Sequence, residues 1–430
     1  MRGFQDLRRL AKDVEDIRSL PLPTLLGPFF AIIRSPLSTG PITSAALSAL
    51  HSFFQCDLIS PGAISLDACL SEMSNTVSRC KFEASDSSGD EVTLLKIMTV
   101  IQDCMCGSVS TTLGDIEVCE MLETVLTTCC QMRLSEILRR SAEATMHALV
   151  KTAFTRLYVL DPIEEEEKLS DNGTVGQEGE AKMTVSTELT GGSESRVTET
   201  GVQGVVSPQQ VLAPSENSSK PSYGLPSVLE LLRVLINILD PTDQAHTDST
   251  RLTALRILNV AFEVAGERIC DFPSLSALVL DHGCKYLFQL ARSDNPAVLQ
   301  TTLRTISTMF ETMRRNLKLQ QELFLAFTID RLAPPPPPPN KAHSLKTNIS
   351  PRPGTPTSGI SPADVDSDKA PSTPRLLVAP ARGDTRELLL ETLSLISRHP
   401  SFMVDLYTNY DCDMNCENMF ERLIDFAAKV

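Results

Sequence analysis

The chain has 430 residues, more than one compact core usually organises, so two or three folded units are expected. Hydrophobic residues make up 42% of the chain and charged residues 22%, values that exclude a wholly disordered protein. The 39 basic residues are outnumbered by 54 acidic ones, giving a net charge of −15, and Trp is absent. This composition argues against nucleic-acid binding, which needs basic side chains for the phosphates and aromatic rings for the bases.

Periodic apolar residues along the chain predict helices. Five segments carry apolar side chains at steps of three and four residues, and they begin at Ile116, Leu138, Leu225, Leu252 and Leu299. Alternation with a period of two, which would indicate strands, is scarce. The sequence therefore predicts an all-α fold, an α-solenoid of stacked armadillo- or HEAT-like helix pairs, with a plain helical bundle as the alternative.

Two low-complexity stretches divide the predicted helices into two blocks. Residues 161–220 are rich in Gly, Ser, Thr and Glu and carry 12 acidic against 4 basic side chains, which predicts an acidic disordered linker. Residues 333–383 contain six consecutive prolines, Pro334–Pro339, and are predicted to be a disordered proline-rich insert. The first block is then 1–160, and the second is 221–332 together with 384–430.

Several helix ends are also predicted. Pro226 suits the first turn of a helix over 226–239. Asp384 and Glu387 have the spacing of a capping box at the start of a helix over 385–398. The sequence Asp281-His282-Gly283 is predicted to be a helix–helix turn with a left-handed glycine.

The sequence offers no pattern for an active site. It lacks a phosphate-binding glycine loop, an H-E-x-x-H pair and a G-x-S-x-G elbow, and its six histidines are scattered. The 12 cysteines form no C-x-x-C pair, so no metal, cofactor or small-molecule substrate is expected. An enzyme hypothesis would rest on a cysteine nucleophile such as Cys284, and the run Glu164 to Glu167 is interpreted as a solvated charge run.

The cellular location follows from the absence of two patterns. The N-terminal residues contain no uninterrupted apolar core of a secretory signal, and no apolar run reaches the roughly 18 residues that span a bilayer. The chain is therefore predicted to be cytoplasmic, with reduced thiols.

Three motifs carry a resemblance to a known family. They are LLGPFFAIIRS around Leu26 with TGPIT from Thr39, VCEML from Val118 running to Arg140, and LYTNYDCD from Leu406 followed by NMFE from Asn418. Together they resemble the N-terminal regulatory half of the large Arf guanine-nucleotide-exchange factors, and most closely a fungal member of the Golgi brefeldin A-resistance branch. The second motif resembles the dimerisation and cyclophilin-binding region of that family, and the third resembles its homology-upstream region.

The resemblance implies a non-catalytic regulatory scaffold in Golgi vesicle traffic. The catalytic exchange domain of the family would follow Val430, so no exchange activity is expected of this chain. The implied partners are a second copy of the chain, the exchange domain, and Golgi membranes or small-GTPase receptors, with peripheral association at Golgi membranes. The alternative is a generic helical-repeat adaptor unrelated to nucleotide exchange.

Two sets of residues are candidate interaction sites. The first is the N-Y-D-C-D box, which the resemblance implies is a docking surface; its members are Asn409, Tyr410, Asp411, Cys412 and Asp413. From the residues alone the box could equally be a rigid helix–helix corner, with Asp413 or Asn415 as the N-cap of the following helix. The second set would form a self-association patch if exposed and belongs to the core otherwise; its members are Met121, Val125, Met132 and Leu134.

Overall fold

The computed structural model describes residues 2–80, 88–172, 182–185, 221–333 and 380–429. Helices dominate these ranges and no strand occurs in them, which confirms the all-α prediction. Most of the predicted acidic linker and most of the predicted proline-rich insert lie outside the described residues.

The helices are numbered in chain order. The first eight are α1 Arg2–Asp13, α2 Leu22–Arg34, α3 Gly40–Gln55, α4 Leu66–Ser78, α5 Ser88–Cys106, α6 Asp115–Cys130, α7 Glu136–Thr155 and α8 Pro162–Asn172. The remaining nine are α9 Leu225–Ile238, α10 Asp248–Ile269, α11 Pro273–Leu278, α12 Cys284–Leu290, α13 Pro296–Thr312, α14 Lys318–Leu332, α15 Gly383–Ser397, α16 Phe402–Leu406 and α17 Met419–Ala427.

The described helices form two compact units, Met1–Gln321 and Glu322–Val430. This division differs from the predicted blocks, because helices α9 to α13 join helices α1 to α8 in a single unit. The predicted boundary at the acidic stretch also differs from the structure, since that stretch contributes helix α8 to the first unit. The physical reason is a dense set of contacts between α6, α7 and α8 on one side and α9, α10 and α11 on the other, described below.

The first unit is a two-layered stack of helices. Helices α2, α4, α6 and α9 pack on one another in order and form one layer, while α3, α5, α7, α10 and α13 form the other. Each helix thus contacts the next helix of its own layer, and pairs such as α2 with α3 and α6 with α7 join the layers. Contact restricted to near neighbours is the pattern of an α-solenoid, as the sequence predicts.

Apolar stripes position these helices in the stack. The stripe that begins at Leu138 continues through Ala142 and Leu149 to Leu157, and all four side chains are buried. Along α9, Val228, Leu231, Leu232 and Leu235 are wholly buried as well, because this helix lies between α6 and α10. Burial of each large apolar side chain contributes about 1.5–3 kcal/mol, so these stripes supply much of the stability of the stack.

Local signals explain some helix starts but not the start of α15. Helix α10 begins after Thr247, whose hydroxyl accepts from the Thr250 N–H, and Pro226 lies in the first turn of α9 as predicted. The predicted capping box of α15 is not formed, because Arg382 occupies the N-cap and its side chain makes no cap bond. Gly383, with φ of 52°, turns the chain into this helix instead.

The predicted turn at Asp281-His282-Gly283 is also wrong. These residues belong to a widened helical turn, Val279–Gly283, that joins α11 to α12, and Gly283 has a right-handed φ of −58°. A Cβ on Gly283 would lie 3.4 Å from the Ile236 side chain of α9. This distance is an ordinary van der Waals contact, so Gly283 forms neither a left-handed turn nor an unusually close approach.

Close approach of two helices explains Gly266, a buried residue of α10 that faces α13. A Cβ at this position would lie 2.1 Å from the Thr312 hydroxyl oxygen. We expect Gly266→Ala to lower the free energy of unfolding by about 1–3 kcal/mol, because α10 and α13 must separate to admit the methyl group. Chemical denaturation followed by circular dichroism measures the effect.

Gly62→Ala is the matched control for this substitution. Gly62 lies in a turn with no atom within 4 Å of the added Cβ. We expect its effect to stay below about 0.5 kcal/mol. Equal stability of the two variants would contradict the packing argument.

Candidate interaction surfaces

The N-Y-D-C-D box forms a corner between two helices of the second unit. Helix α16 continues into a widened turn, Tyr407–Asp411, and the chain then leads to α17. Tyr410 is buried, and burial raises the pKa of its hydroxyl well above the usual range, helped by the charge of Glu322. Asn409 and Cys412 are exposed. The box therefore has one structural anchor and a surface face.

Asp411 caps helix α17, although it lies nine residues before Phe420 in the chain. Its Oδ2 accepts from the Phe420 N–H at 2.8 Å, and its Oδ1 accepts from the Glu421 N–H at 3.1 Å. The expectation that Asp413 or Asn415 is the N-cap is wrong, because Asp413 instead accepts from the Asn415 N–H in a local turn. The carboxylate of Asp411 satisfies two amide groups that the first turn of a helix otherwise leaves without a partner.

Further contacts within the second unit hold this corner. The Tyr407 ring meets the Phe420 ring edge-on, with centroids 5.9 Å apart. Arg422 of α17 binds Asp330 of α14 at 2.5 Å and also pairs with Glu417. The box is thus built into a rigid corner, and a role as a docking surface stays a prediction.

The four predicted self-association residues do not form one surface. Met121, Val125 and Leu134 are buried, whereas 53% of Met132 is exposed. The first three belong to the core, because α6 lies between α4, α7 and α9 and has no free apolar face along most of its length. Only Met132, in the α6–α7 turn, can meet a partner.

Two further exposed apolar residues lie on the helices that meet at this turn. Ile137, in the first turn of α7, is 80% exposed, and Val92 of α5 is also exposed. The Glu91 carboxylate ties these two helices together, because its oxygens accept from the Ser135 N–H at 2.9 Å and the Ser135 hydroxyl at 2.7 Å. We call Val92, Met132 and Ile137 the turn cluster.

The contacts between α6–α8 and α9–α11, which we call the block junction, contain charged groups that the sequence analysis did not identify. Asp115 accepts from the N–H groups of Gly224 and Ser227 at 3.0 and 3.2 Å, and Glu165 accepts from the Leu225 N–H at 3.1 Å. Gly224 is the N-cap residue of α9 and has no side chain to offer. Two carboxylates from the first eight helices therefore cap α9.

Helix α11 is capped in the same way. Its N-cap residue, Phe272, makes no side-chain cap bond, and Glu166 accepts instead from the Ser274 N–H at 2.9 Å and from its hydroxyl at 2.7 Å. The run Glu164 to Glu167 is thus not simply a solvated charge run, since Glu165 is buried and Glu166 is engaged. A sequence signal existed, because Gly224 and Phe272 precede these two helices and neither offers a capping side chain.

Two arginines donate hydrogen bonds across the block junction, whereas the carboxylates there accept them. Arg156 donates from Nε to the Tyr223 carbonyl at 2.8 Å and from a terminal nitrogen to the Ser222 hydroxyl at 2.6 Å. Arg268 of α10 donates to the Leu157 and Leu160 carbonyls, both at 2.9 Å. Arg268 thus satisfies carbonyl groups just after α7, and Arg156 satisfies a carbonyl group just before α9.

No catalytic centre emerges from the described residues. Burial raises the pKa of the Cys284 thiol to about 12, with a smaller contribution from Asp281, so almost none of it ionises at neutral pH. No cluster of His, Cys, Asp and Glu among the described residues has the arrangement of a metal site. An open cavity of about 520 Å³ is lined by Glu166, Glu167, Ser170 and Asp271 beside Ile163. The Ser170 hydroxyl donates to the Glu166 carbonyl and not to a base.

Removal of the Asp411 carboxylate tests the corner. We expect Asp411→Ala to destabilise α17 by about 1–2 kcal/mol, because the Phe420 and Glu421 amides lose their acceptors. Amide hydrogen exchange at these two residues measures the loss directly. Asn409→Ala, at an exposed neighbouring position, should leave both amides protected. Unchanged exchange in Asp411→Ala would refute the cap.

Comparison with protein families connects this geometry to known proteins. Residues 224–419 match the family model described as Mon2/Sec7/BIG1-like, HUS domain. None of the helices in the described ranges has both the length and the apolar character needed to cross a membrane.

Curated relatives match over nearly the whole chain. An uncharacterized protein of Schizosaccharomyces pombe is 35% identical over 90% of this chain. ARF guanine-nucleotide exchange factor 1 of Saccharomyces cerevisiae is 27% identical over all of it. The Golgi-specific brefeldin A-resistance guanine nucleotide exchange factor 1 homolog of Caenorhabditis elegans is 25% identical over 98%.

The chain spans only part of these relatives, 25%, 29% and 24% of their lengths in the same order. Two of the three are named as guanine-nucleotide exchange factors, and the match to the HUS domain covers both α9 and the N-Y-D-C-D box. The resemblance to the large Arf guanine-nucleotide-exchange factors that the three motifs indicate is therefore confirmed, with the HUS domain at residues 224–419.

Proposed function

We propose that this chain is the non-catalytic regulatory region of an Arf guanine-nucleotide-exchange factor that works in Golgi vesicle traffic. The names of the relatives and the HUS match support the assignment to this pathway. The block junction is the observation that carries the regulatory role. It joins two helical blocks that are 48 residues apart in the chain, from 173 to 220, by contacts that single substitutions can weaken.

Regulation by this region would act through positioning. Three carboxylates of the junction accept from backbone amides; they belong to Asp115, Glu165 and Glu166. Arg156 donates to a backbone carbonyl. These bonds fix the positions of the helices in the junction relative to one another. A preorganised surface of this kind loses little entropy when a partner binds. The exchange reaction itself is not assigned to the described residues.

The second unit offers the face for a catalytic domain. In the N-Y-D-C-D box, Asn409 and Cys412 are exposed on a corner that Tyr410 and Asp411 hold rigid. We propose that this face docks the exchange domain of the complete protein. Recruitment from the cytoplasm to Golgi membranes would then follow from contacts with small GTPases or their receptors.

Self-association is the third proposed activity. Of the residues first considered for it, Met132 supports the proposal, together with Val92 and Ile137 of the turn cluster. Because clustered apolar side chains at a surface favour burial against another surface, a second copy of the chain is the proposed occupant.

The block junction can be tested in the full chain with a protease site inserted near residue 200. After cleavage, we expect the two halves to elute together from gel filtration. The double variant Arg156→Ala, Glu165→Ala removes a cap of α9 and two bonds of Arg156, so its halves should bind about tenfold more weakly or worse, a loss of about 1.4 kcal/mol.

The matched control removes the same two residue types on the exposed face of α7. Arg140 and Glu136 form an ion pair that is largely exposed, and such pairs contribute about 0–1 kcal/mol. The variant Arg140→Ala, Glu136→Ala should behave as wild type. Separation of the wild-type halves on cleavage would rule out intramolecular docking.

Light scattering at several protein concentrations tests self-association. We expect Ile137→Asp to raise the dissociation constant of the dimer about tenfold or more, since a carboxylate replaces an exposed apolar contact. Leu37→Asp is the control, because Leu37 is 91% exposed on a separate turn. A wild-type chain that remains monomeric at all concentrations contradicts this part of the proposal.

A further inference from the structure

A four-residue segment of the acidic stretch lies against the first unit. Residues 182–185 are described, whereas 173–181 before them and 186–220 after them lie outside the described residues. Met183 is only 2% exposed, although the segment belongs to no helix. A buried methionine in an isolated extended segment has the character of an anchor in a pocket.

The backbone of the segment is bound at a fixed acceptor. The Met183 N–H donates to Glu230 Oε1 of α9 at 2.7 Å. Glu230 is nearly buried, and Arg233 holds it with bonds of 2.9 Å to Oε2 and 2.5 Å to Oε1. Because the carboxylate is already fixed, it can receive a backbone amide without losing freedom of its own.

A second hydrogen bond joins the segment to α6, the helix that packs beside α9. The Thr184 hydroxyl donates to Glu123 Oε1 of α6 at 3.1 Å. Residues 182–185 therefore lie over the seam between α6 and α9, which pack on each other. A buried apolar anchor next to a backbone amide bond is the arrangement by which grooves recognise extended peptides.

The seam is also strongly acidic. Burial raises the pKa of the Cys119 thiol on α6, and the carboxylates of Asp115, Glu230, Glu123 and Glu120 add to the shift because all four lie near it. Amide and hydroxyl donors match such a surface, whereas a carboxylate on the ligand would be repelled.

We propose that the seam of α6 and α9 is a docking site for an extended, methionine-anchored peptide, and that Lys182–Val185 occupies it as a tethered ligand. The tether raises the effective concentration of the segment, so weak contacts suffice to hold it. Release of the segment exposes a site for the same class of peptide. This inference does not depend on a role in nucleotide exchange.

Amide exchange in the full chain is the first test. We expect the Met183 N–H to exchange at least tenfold more slowly than in a free peptide of residues 178–189, EGEAKMTVSTEL. Thr184→Glu should abolish most of this protection, since it places a carboxylate opposite Glu123, whereas Thr184→Val removes only one hydrogen bond and should have a smaller effect. Exchange at the rate of the free peptide overturns the proposal.

Binding of the same peptide, carrying a fluorophore, is the second test. The wild-type seam is occupied by its own segment, so Met183→Ala in the full chain should bind the labelled peptide at least tenfold more tightly than wild type does. A peptide with alanine in place of the methionine should not compete. Met414→Ala, at a fully exposed methionine, is the control and should match wild type. Equal binding by Met183→Ala and wild type overturns the docking site.

Discussion

Carboxylates that cap helices belonging to another part of the chain are the interaction on which this structure depends. Helix α9 begins after a glycine and α11 begins after a phenylalanine, so neither has a side-chain cap of its own. Asp115, Glu165 and Glu166 supply the missing acceptors. Loss of such a cap costs about 0.5–2 kcal/mol. The same device recurs in the second unit, where Asp411 caps α17.

The layered packing explains why these caps can reach their helices. Helix α9 follows α6 in one layer and α10 follows α7 in the other, so the helices before residue 173 and those after residue 220 form one stack. Asp115 at the start of α6 is thereby brought to the start of α9. The solenoid geometry fixes the partners, and the charged groups determine how firmly the added helices are held.

Periodicity in the sequence predicts the helices well and their neighbours poorly. The stripe from Leu138 to Leu157 identifies the buried face of α7, since one face in contact with a core is a local property. Val125 and Met132 look equivalent by residue type, yet only Met132 is exposed, because burial of the rest of α6 depends on α4, α7 and the distant helix α9. The caps escaped prediction for the same reason: Asp411 and Phe420 are nine residues apart, and Glu165 and Leu225 are 60 apart.

The cross-chain caps also have a consequence for the order of events during synthesis. The ribosome releases α6 to α8 before α9, and N-terminal segments generally fold first. The acceptors Asp115 and Glu165 are then already in position when Leu225 emerges, and the nascent helix can form its first turn on a template. A circular permutant that begins at residue 200 would reverse this order. The first amide groups of α9 would then lack their acceptors until the helices that carry Asp115 and Glu165 are translated.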